Sequence, residues 1–218
     1  DGYFHEYMGD SYRKAGNLDK AIEVYQLAIA DNNNPDPLSV QVKIGTIFEE
    51  LGNIEAAIEN FWAVYQATGN DYVKAQMDYL IGNLYLNRGD ADSALVHYQQ
   101  ATRLDPKSVS AWNYAGITLA RLERFAEAKA SYEKAAALDA FYGHTFVNLG
   151  NLYFKQEKFD LAVRQYQLAT TIDSTDARAW LNLGLAYERL KEINRAILAY
   201  NKAAECDLAD PTPLERLG

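Results

Sequence analysis

Residues 143–176 read GHTFVNLGNLYFKQEKFDLAVRQYQLATTIDSTD, and the reading of this stretch decides the fold. Phe146, Leu149 and Tyr153 stand three and four residues apart, which is one face of a helix. Lys155 to Lys158 is a polar break. Phe159, Ala162, Val163, Tyr166 and Ala169 then form a second apolar stripe at helical spacing. Ile172 to Asp176 breaks the pattern again with residues suited to capping. The stretch is therefore two antiparallel helices of about twelve to fourteen residues joined by short turns.

Outward from it, the unit recurs in phase. Gly9, Gly45, Gly82, Gly116, Gly150, Gly184 and Gly218 follow one another at intervals of 36, 37, 34, 34, 34 and 34 residues. Twelve residues after each of the first six comes an alanine: Ala21, Ala57, Ala94, Ala128, Ala162 and Ala196. Four further on stands an aromatic: Tyr25, Phe61, Tyr98, Tyr132, Tyr166 and Tyr200. A period in this range marks a stacked array. A glycine inside a helix costs about 1 kcal/mol relative to alanine, so glycines at one phase require a packing reason. Gly150 and Ala162 are expected to let two helix backbones approach, and Ala169 to do the same toward the next unit. In the first three units Gly16, Gly52 and Gly89 supply the left-handed residue that ends a helix. Units four to six have Glu123, Glu157 and Lys191 there, which predicts turns that close differently. Extra residues at 31–37 and 67–71 are expected to lengthen the loops between units.

The order Trp112, Gly116, Ala128, Tyr132, Ala135, repeated as Trp180, Gly184, Ala196, Tyr200, Ala203, resembles the tetratricopeptide repeat. The resemblance covers essentially residues 2 to 218. It implies an all-α, right-handed superhelical α-solenoid of stacked antiparallel helix pairs, with the first helices lining a concave groove. The units fall at about 2–35, 38–71, 75–108, 109–142, 143–176 and 177–210. Residues 211–218, with Leu214, Leu217 and Gly218 in phase, read as the start of a cut seventh pair in a single array over 1–218.

Composition excludes several functions. Twenty-one Lys and Arg against 30 Asp and Glu give a net charge of −9, which disfavours non-specific nucleic-acid binding. No apolar run approaches 18 residues, so no membrane span is expected. The lone Cys206 permits no internal disulfide and fits a reducing compartment such as the cytoplasm. His5, His97 and His144 lie at three different phases, so no metal site is expected. No phosphate loop, dinucleotide fingerprint or nucleophile with partners in phase is present. No enzyme activity and no cofactor are expected within this chain.

The expected binding face lies on the first helices. Its residues are Tyr79, Asn83 and Leu86 in unit three, then Asn113, Ile117 and Arg121 in unit four. Unit five adds His144, Val147, Asn148, Asn151, Phe154 and Lys155, and unit six adds Arg178, Leu181, Asn182, Leu185 and Arg189. Apolar side chains there exceed what a helix-pair core demands, and exposed apolar patches mark interaction sites. The amides can pair with an extended peptide in both donor and acceptor senses. On this face units one and two carry Glu6, Asp10, Glu49 and Glu50 against Arg13 and Lys14, whereas units four to six carry Arg121, Lys155, Arg178 and Arg189 against Glu188. The expected partner is a protein or peptide whose acidic or carboxylate-bearing part docks on units four to six. The family resemblance also implies a chaperone-tail clamp in some members. Asn151 and Asn182 match two of its positions and Arg216 stands in its arginine position, but Val147 and Thr212 replace its lysines, so the clamp is incomplete. The function read from the sequence is an interaction scaffold. Its rivals are a recruiting segment of a larger enzyme and a self-assembling scaffold.

Overall fold

The computed structural model describes residues 2–207 and Thr212. The described residues form twelve α-helices and no strand. The chain divides into two compact units, Asp1–Pro106 and Lys107–Gly218. The first holds α1 (Gly2–Lys14), α2 (Leu18–Ala30), α3 (Pro37–Glu50), α4 (Ile54–Ala67), α5 (Asp71–Asn87) and α6 (Ala91–Leu104). The second holds α7 (Val109–Arg121), α8 (Phe125–Leu138), α9 (Gly143–Lys155), α10 (Phe159–Ile172), α11 (Ala177–Arg189) and α12 (Ile193–Cys206). The expected seventh pair falls almost wholly outside the described residues.

The repeated glycine has a packing reason, though not the expected one. A Cβ built on Gly9, Gly45, Gly82, Gly116, Gly150 or Gly184 would run into the ring sixteen residues later, with Gly82 meeting Tyr98 at 2.7 Å. The glycine makes room for an aromatic ring rather than for a second backbone. The second helices α2, α4 and α10 each offer this ring and its smaller neighbours to the first helix that follows. Ala21, Tyr25 and Ala28 pack with Val40, Ile44 and Ile47. Ala57, Phe61 and Val64 pack with Met77, Ile81 and Leu84. In the second unit Ala162, Tyr166 and Ala169 share one core with Ala179, Leu183 and Ala186.

The six turns inside the pairs all close in the same way, which overturns the expectation for the last three. Gly16, Gly52 and Gly89 have φ of 75°, 73° and 88°, and Glu123, Glu157 and Lys191 have φ of 58°, 57° and 62°. In each, the left-handed residue donates its N–H to the carbonyl three residues back, and the next residue donates to the carbonyl five back. Gly16 thus bonds Arg13 and Asn17 bonds Tyr12; Glu157 bonds Phe154 and Lys158 bonds Tyr153. This pair of hydrogen bonds is the Schellman closure. Packing of the two helices dictates the backbone, and side chains that prefer other conformations adopt it.

The two insertions also differ. Residues 31–36 do form a longer loop, pinned where Asn34 Nδ2 donates to the Ala28 carbonyl at 2.9 Å. The second insertion does not lengthen its loop. Only residues 68–70 separate α4 from α5, and α5 runs for 17 residues where the other first helices run for 13 or 14. Asn70 caps it by accepting from Tyr72 N at 2.9 Å.

Candidate functional site

In the first unit the helix faces expected to bind are partly occupied by the chain itself. Lys43 on α3 reaches back to α1, with Nζ 2.9 Å from Glu6 Oε1 and 2.8 Å from Asp10 Oδ1. Asp10 also accepts from the Tyr25 hydroxyl at 2.5 Å. Burial opposes ionisation of Asp10, but the bonds from Lys43 and Tyr25 outweigh it and hold the carboxyl below its ordinary range. Burial likewise opposes the charge on Lys43, and Asp10 and Glu6 outweigh it, so its ammonium titrates above the usual lysine range. Arg13 pairs with Glu50. The acidic surplus expected here is therefore largely neutralised within the unit. Sequence reasoning missed Lys43 because it sits two residues before its glycine, beside the phases taken as the face. Next to this cluster, Ser39 and Val42 of α3 and Gln76, Met77 and Tyr79 of α5 line a mainly apolar cavity of about 540 Å³. Asn83 accepts from the Tyr98 hydroxyl at 2.7 Å, and Leu86 is buried.

The second unit gathers most of the expected residues. A cavity of about 540 Å³ is lined by Asn113 and Ile117 of α7, His144, Val147, Asn148 and Asn151 of α9, and Arg178, Leu181 and Asn182 of α11. A smaller one beside it, about 270 Å³, takes in Phe154, Lys155 and Leu185 together with Asn151 and Asn182. Arg121 and Arg189 line neither. The Arg189 guanidinium lies 4.5 Å from the centre of the Phe159 ring, and Lys155 Nζ lies 3.3 Å from Glu123 Oε1. Of the expected cations, Arg178 is the one lining the larger cavity. Three residues read as exposed are in fact buried: Leu86, Asn113 and Val147. Asn113 and Val147 face the first helix of the next pair, α9 and α11 respectively, as well as the cavity.

The amides form a ladder across the first helices. Asn113 Oδ1 accepts from Thr145 Oγ1 at 3.3 Å and from Asn148 Nδ2 at 3.1 Å. One pair further on, Asn151 Oδ1 accepts from the Tyr166 hydroxyl at 2.7 Å and from Asn182 Nδ2 at 3.1 Å. Burial holds the Tyr166 hydroxyl far above the ordinary phenol range, so it remains a donor at any physiological pH. Tyr114 and Tyr142 also line the larger cavity and were missed. Tyr114 sits two residues before its glycine, the phase of Asn148 and Asn182, and that phase was the signal available. Among the described residues no group of three or more side chains is placed to hold a metal. His97 instead pairs with the buried Asp78, its Nδ1 2.8 Å from Asp78 Oδ1. No described helix is long and apolar enough to cross a membrane. Of the chaperone-tail clamp, Thr212 is helical and exposed, and Arg216 lies outside the described residues.

Comparison with known proteins places this geometry. The tetratricopeptide repeat profiles match residues 8–72 and 79–142, residues 150–191 and residues 177–210. A CTR9 homologue of Arabidopsis thaliana is 29% identical over 136 residues, which is 62% of this chain and 11% of that protein. The chain spans between 4% and 31% of the length of the curated relatives it matches. Among solved structures, PilF of Pseudomonas aeruginosa superposes with a TM-score of 0.76 at 15% identity, over 99% of this chain and 96% of that one. YrrB, described as a TPR protein with an unusual peptide-binding site, superposes with a TM-score of 0.65 at 18% identity, over 89% and 98%. One profile alone covers more than half of the sequence, and the helix pairs repeat a single glycine–ring contact: the chain belongs to the tetratricopeptide repeat family.

Proposed function

We propose that this chain is a protein-interaction scaffold that holds an extended segment of a partner on the first helices of its second unit. The carrying observation is the cavity between α7, α9 and α11, where an amide ladder stands beside Arg178 and the apolar Ile117 and Leu181. Its size suits a few residues of peptide. Asn148 and Asn182 each give one N–H to the neighbouring asparagine, which leaves their carbonyl oxygens for a peptide N–H. Arg178 favours a segment with a carboxylate nearby. YrrB, which shares the fold and has a peptide-binding site of its own, supports a reading of this kind.

The test is selection of a random peptide library on the immobilised chain, repeated on the Asn148→Ala/Asn182→Ala/Arg178→Glu variant. Two lost hydrogen bonds and a reversed charge weaken binding at least tenfold. Selected peptides that bind both proteins equally would overturn the reading. A second reading, self-association, rests on α1. Phe4 is 60% exposed, while Val40 and Ala179 at the same repeat position are fully buried in cores shared with the preceding helix. Light scattering across a concentration range separates the two: a constant monomer mass removes the second.

A further inference from the structure

A cavity of about 840 Å³ opens between α10 and α12, floored by α11, and shares no residue with the two first-helix cavities of the same unit. We propose that it is a second docking site, which takes an aromatic side chain flanked by carboxylates on a partner protein.

The chemistry of the walls carries this. The floor is Trp180, Leu183 and Tyr187. The Trp180 indole N–H donates to the Ser174 carbonyl at 2.9 Å, and the Tyr187 hydroxyl accepts from Gln167 Nε2 at 2.8 Å. With its polar tip engaged, the half-buried Trp180 turns ring surface to the cavity, while the buried Tyr187 ring lies 5.7 Å from the Arg195 guanidinium. Leu198 on the rim is 67% exposed. Arg195 and Lys202 line the cavity and no acid does, on a chain whose net charge is −9. Their ion pairs, to Glu192 and Glu205, are exposed and lie within one turn of α12. Such pairs are weak and exchange readily with a partner carboxylate.

The first unit shows what this kind of groove accepts. The repeat positions of Gln167 and Thr170 are held there by Trp62 and Tyr65, whose rings stack at 4.7 Å and 9°. Tyr85, at the position of Tyr187, stacks on His97 at 5.4 Å. The chain places two stacked ring pairs of its own at that groove. In the second unit a short amide and a hydroxyl leave the equivalent volume open, with cations at its edge.

The experiment is a titration of the chain with a blocked peptide carrying one tryptophan among four glutamates, followed by NMR at the Trp180 indole and Leu198 methyls. Saturable shifts are expected, with at least tenfold tighter binding than the same peptide with lysines for the glutamates or alanine for the tryptophan. Two variants should each lose at least tenfold: Gln167→Trp/Thr170→Tyr, which refills the groove, and Arg195→Glu/Lys202→Glu, which reverses its rim. Unchanged Asn148 and Asn182 signals in those variants establish that the unit is still folded, and keep the result separate from the first-helix reading. The proposal falls if Trp180 shows no saturable shift at millimolar peptide, or if the lysine peptide binds as well. It also falls if the shifts appear at Asn148 and Asn182 instead, or if the same signals move with protein concentration alone, which would make a second copy the occupant.

Discussion

The two compact units build the same helix pair from different local chemistry. In the first, every turn inside a pair is a glycine followed by an Asn or Asp that caps the next helix: Asn17, Asn53 and Asp90 accept from Lys20, Ala56 and Ser93 N at 3.1–3.3 Å. In the second, Glu123, Glu157 and Lys191 take the left-handed position, and Arg124, Lys158 and Glu192 follow with no side-chain cap bond. The backbone is the same in all six. The difference teaches that the turn is imposed by the tertiary contact between the helices, with local residue preference only raising or lowering its cost.

What the two units share should dominate any such difference. Replacing Gly9 or Gly150 with alanine gains about 1 kcal/mol of helix propensity but drives a methyl into the Tyr25 or Tyr166 ring. Overpacking of this kind costs about 1–3 kcal/mol or more, so both variants should be destabilised to a similar degree. Urea unfolding followed by Trp62 for the first unit, and by Trp112 and Trp180 for the second, measures each separately. A cost in one unit only would break the comparison at its common core.

The next effect is a turn transplant. Glu157→Gly/Lys158→Asn gives the fifth pair the chemistry of the first three. It relieves a left-handed side chain, worth about 1–2 kcal/mol less the added freedom of glycine in the unfolded chain, about 0.4–1 kcal/mol. It also adds a cap worth about 1 kcal/mol. The second unit should gain about 1–2 kcal/mol in the same assay. The reverse change, Asn53→Ala, should cost the first unit about 1 kcal/mol, while Lys158→Ala should leave the second within about 0.5 kcal/mol of wild type.

The smallest effect is in pH dependence. Asp10 titrates below its ordinary value in the fold, so its contribution is complete above the unfolded carboxyl range and disappears as pH falls through the lowered value. Lys43 titrates above its ordinary value, so its contribution is complete below the unfolded lysine range and disappears as pH rises through the raised one. The Trp62 signal should therefore report a first unit that weakens at both extremes, and Asp10→Asn should flatten the acid side while leaving the second unit's profile untouched.

These contrasts also mark what was legible in the residues. The glycine and ring phases gave six helix pairs and their neighbours, because a 34-residue repeat cannot bury its stripes in any other order. The last three turns were not legible, since Glu and Lys rarely adopt positive φ and only the packed pair forces them to. The helical fate of the insertion before α5 was readable in Asn70 followed by Asp71, a cap and an acid for a first turn. The lining of the candidate cavity was legible in large part: nine of its eleven residues followed from phase. Burial of Asn113 and Val147 did not, because it depends on how closely α7 and α9 approach.

The Tyr166 hydroxyl, anchored on Asn151, decides what the middle rung of the ladder can offer. Asn151 Oδ1 already receives two protons, from Tyr166 and Asn182, so in the proposed binding mode this rung would address a guest through its own N–H groups. Asn148 and Asn182, each with an N–H committed sideways, would turn carbonyl oxygens to the same guest. A peptide laid across the ladder would then meet a donor flanked by acceptors, a pattern that the alternating carbonyls and amides of an extended main chain can match in either direction. On that reading a ring hydroxyl rooted in the core sets the hydrogen-bonding sign of a surface amide.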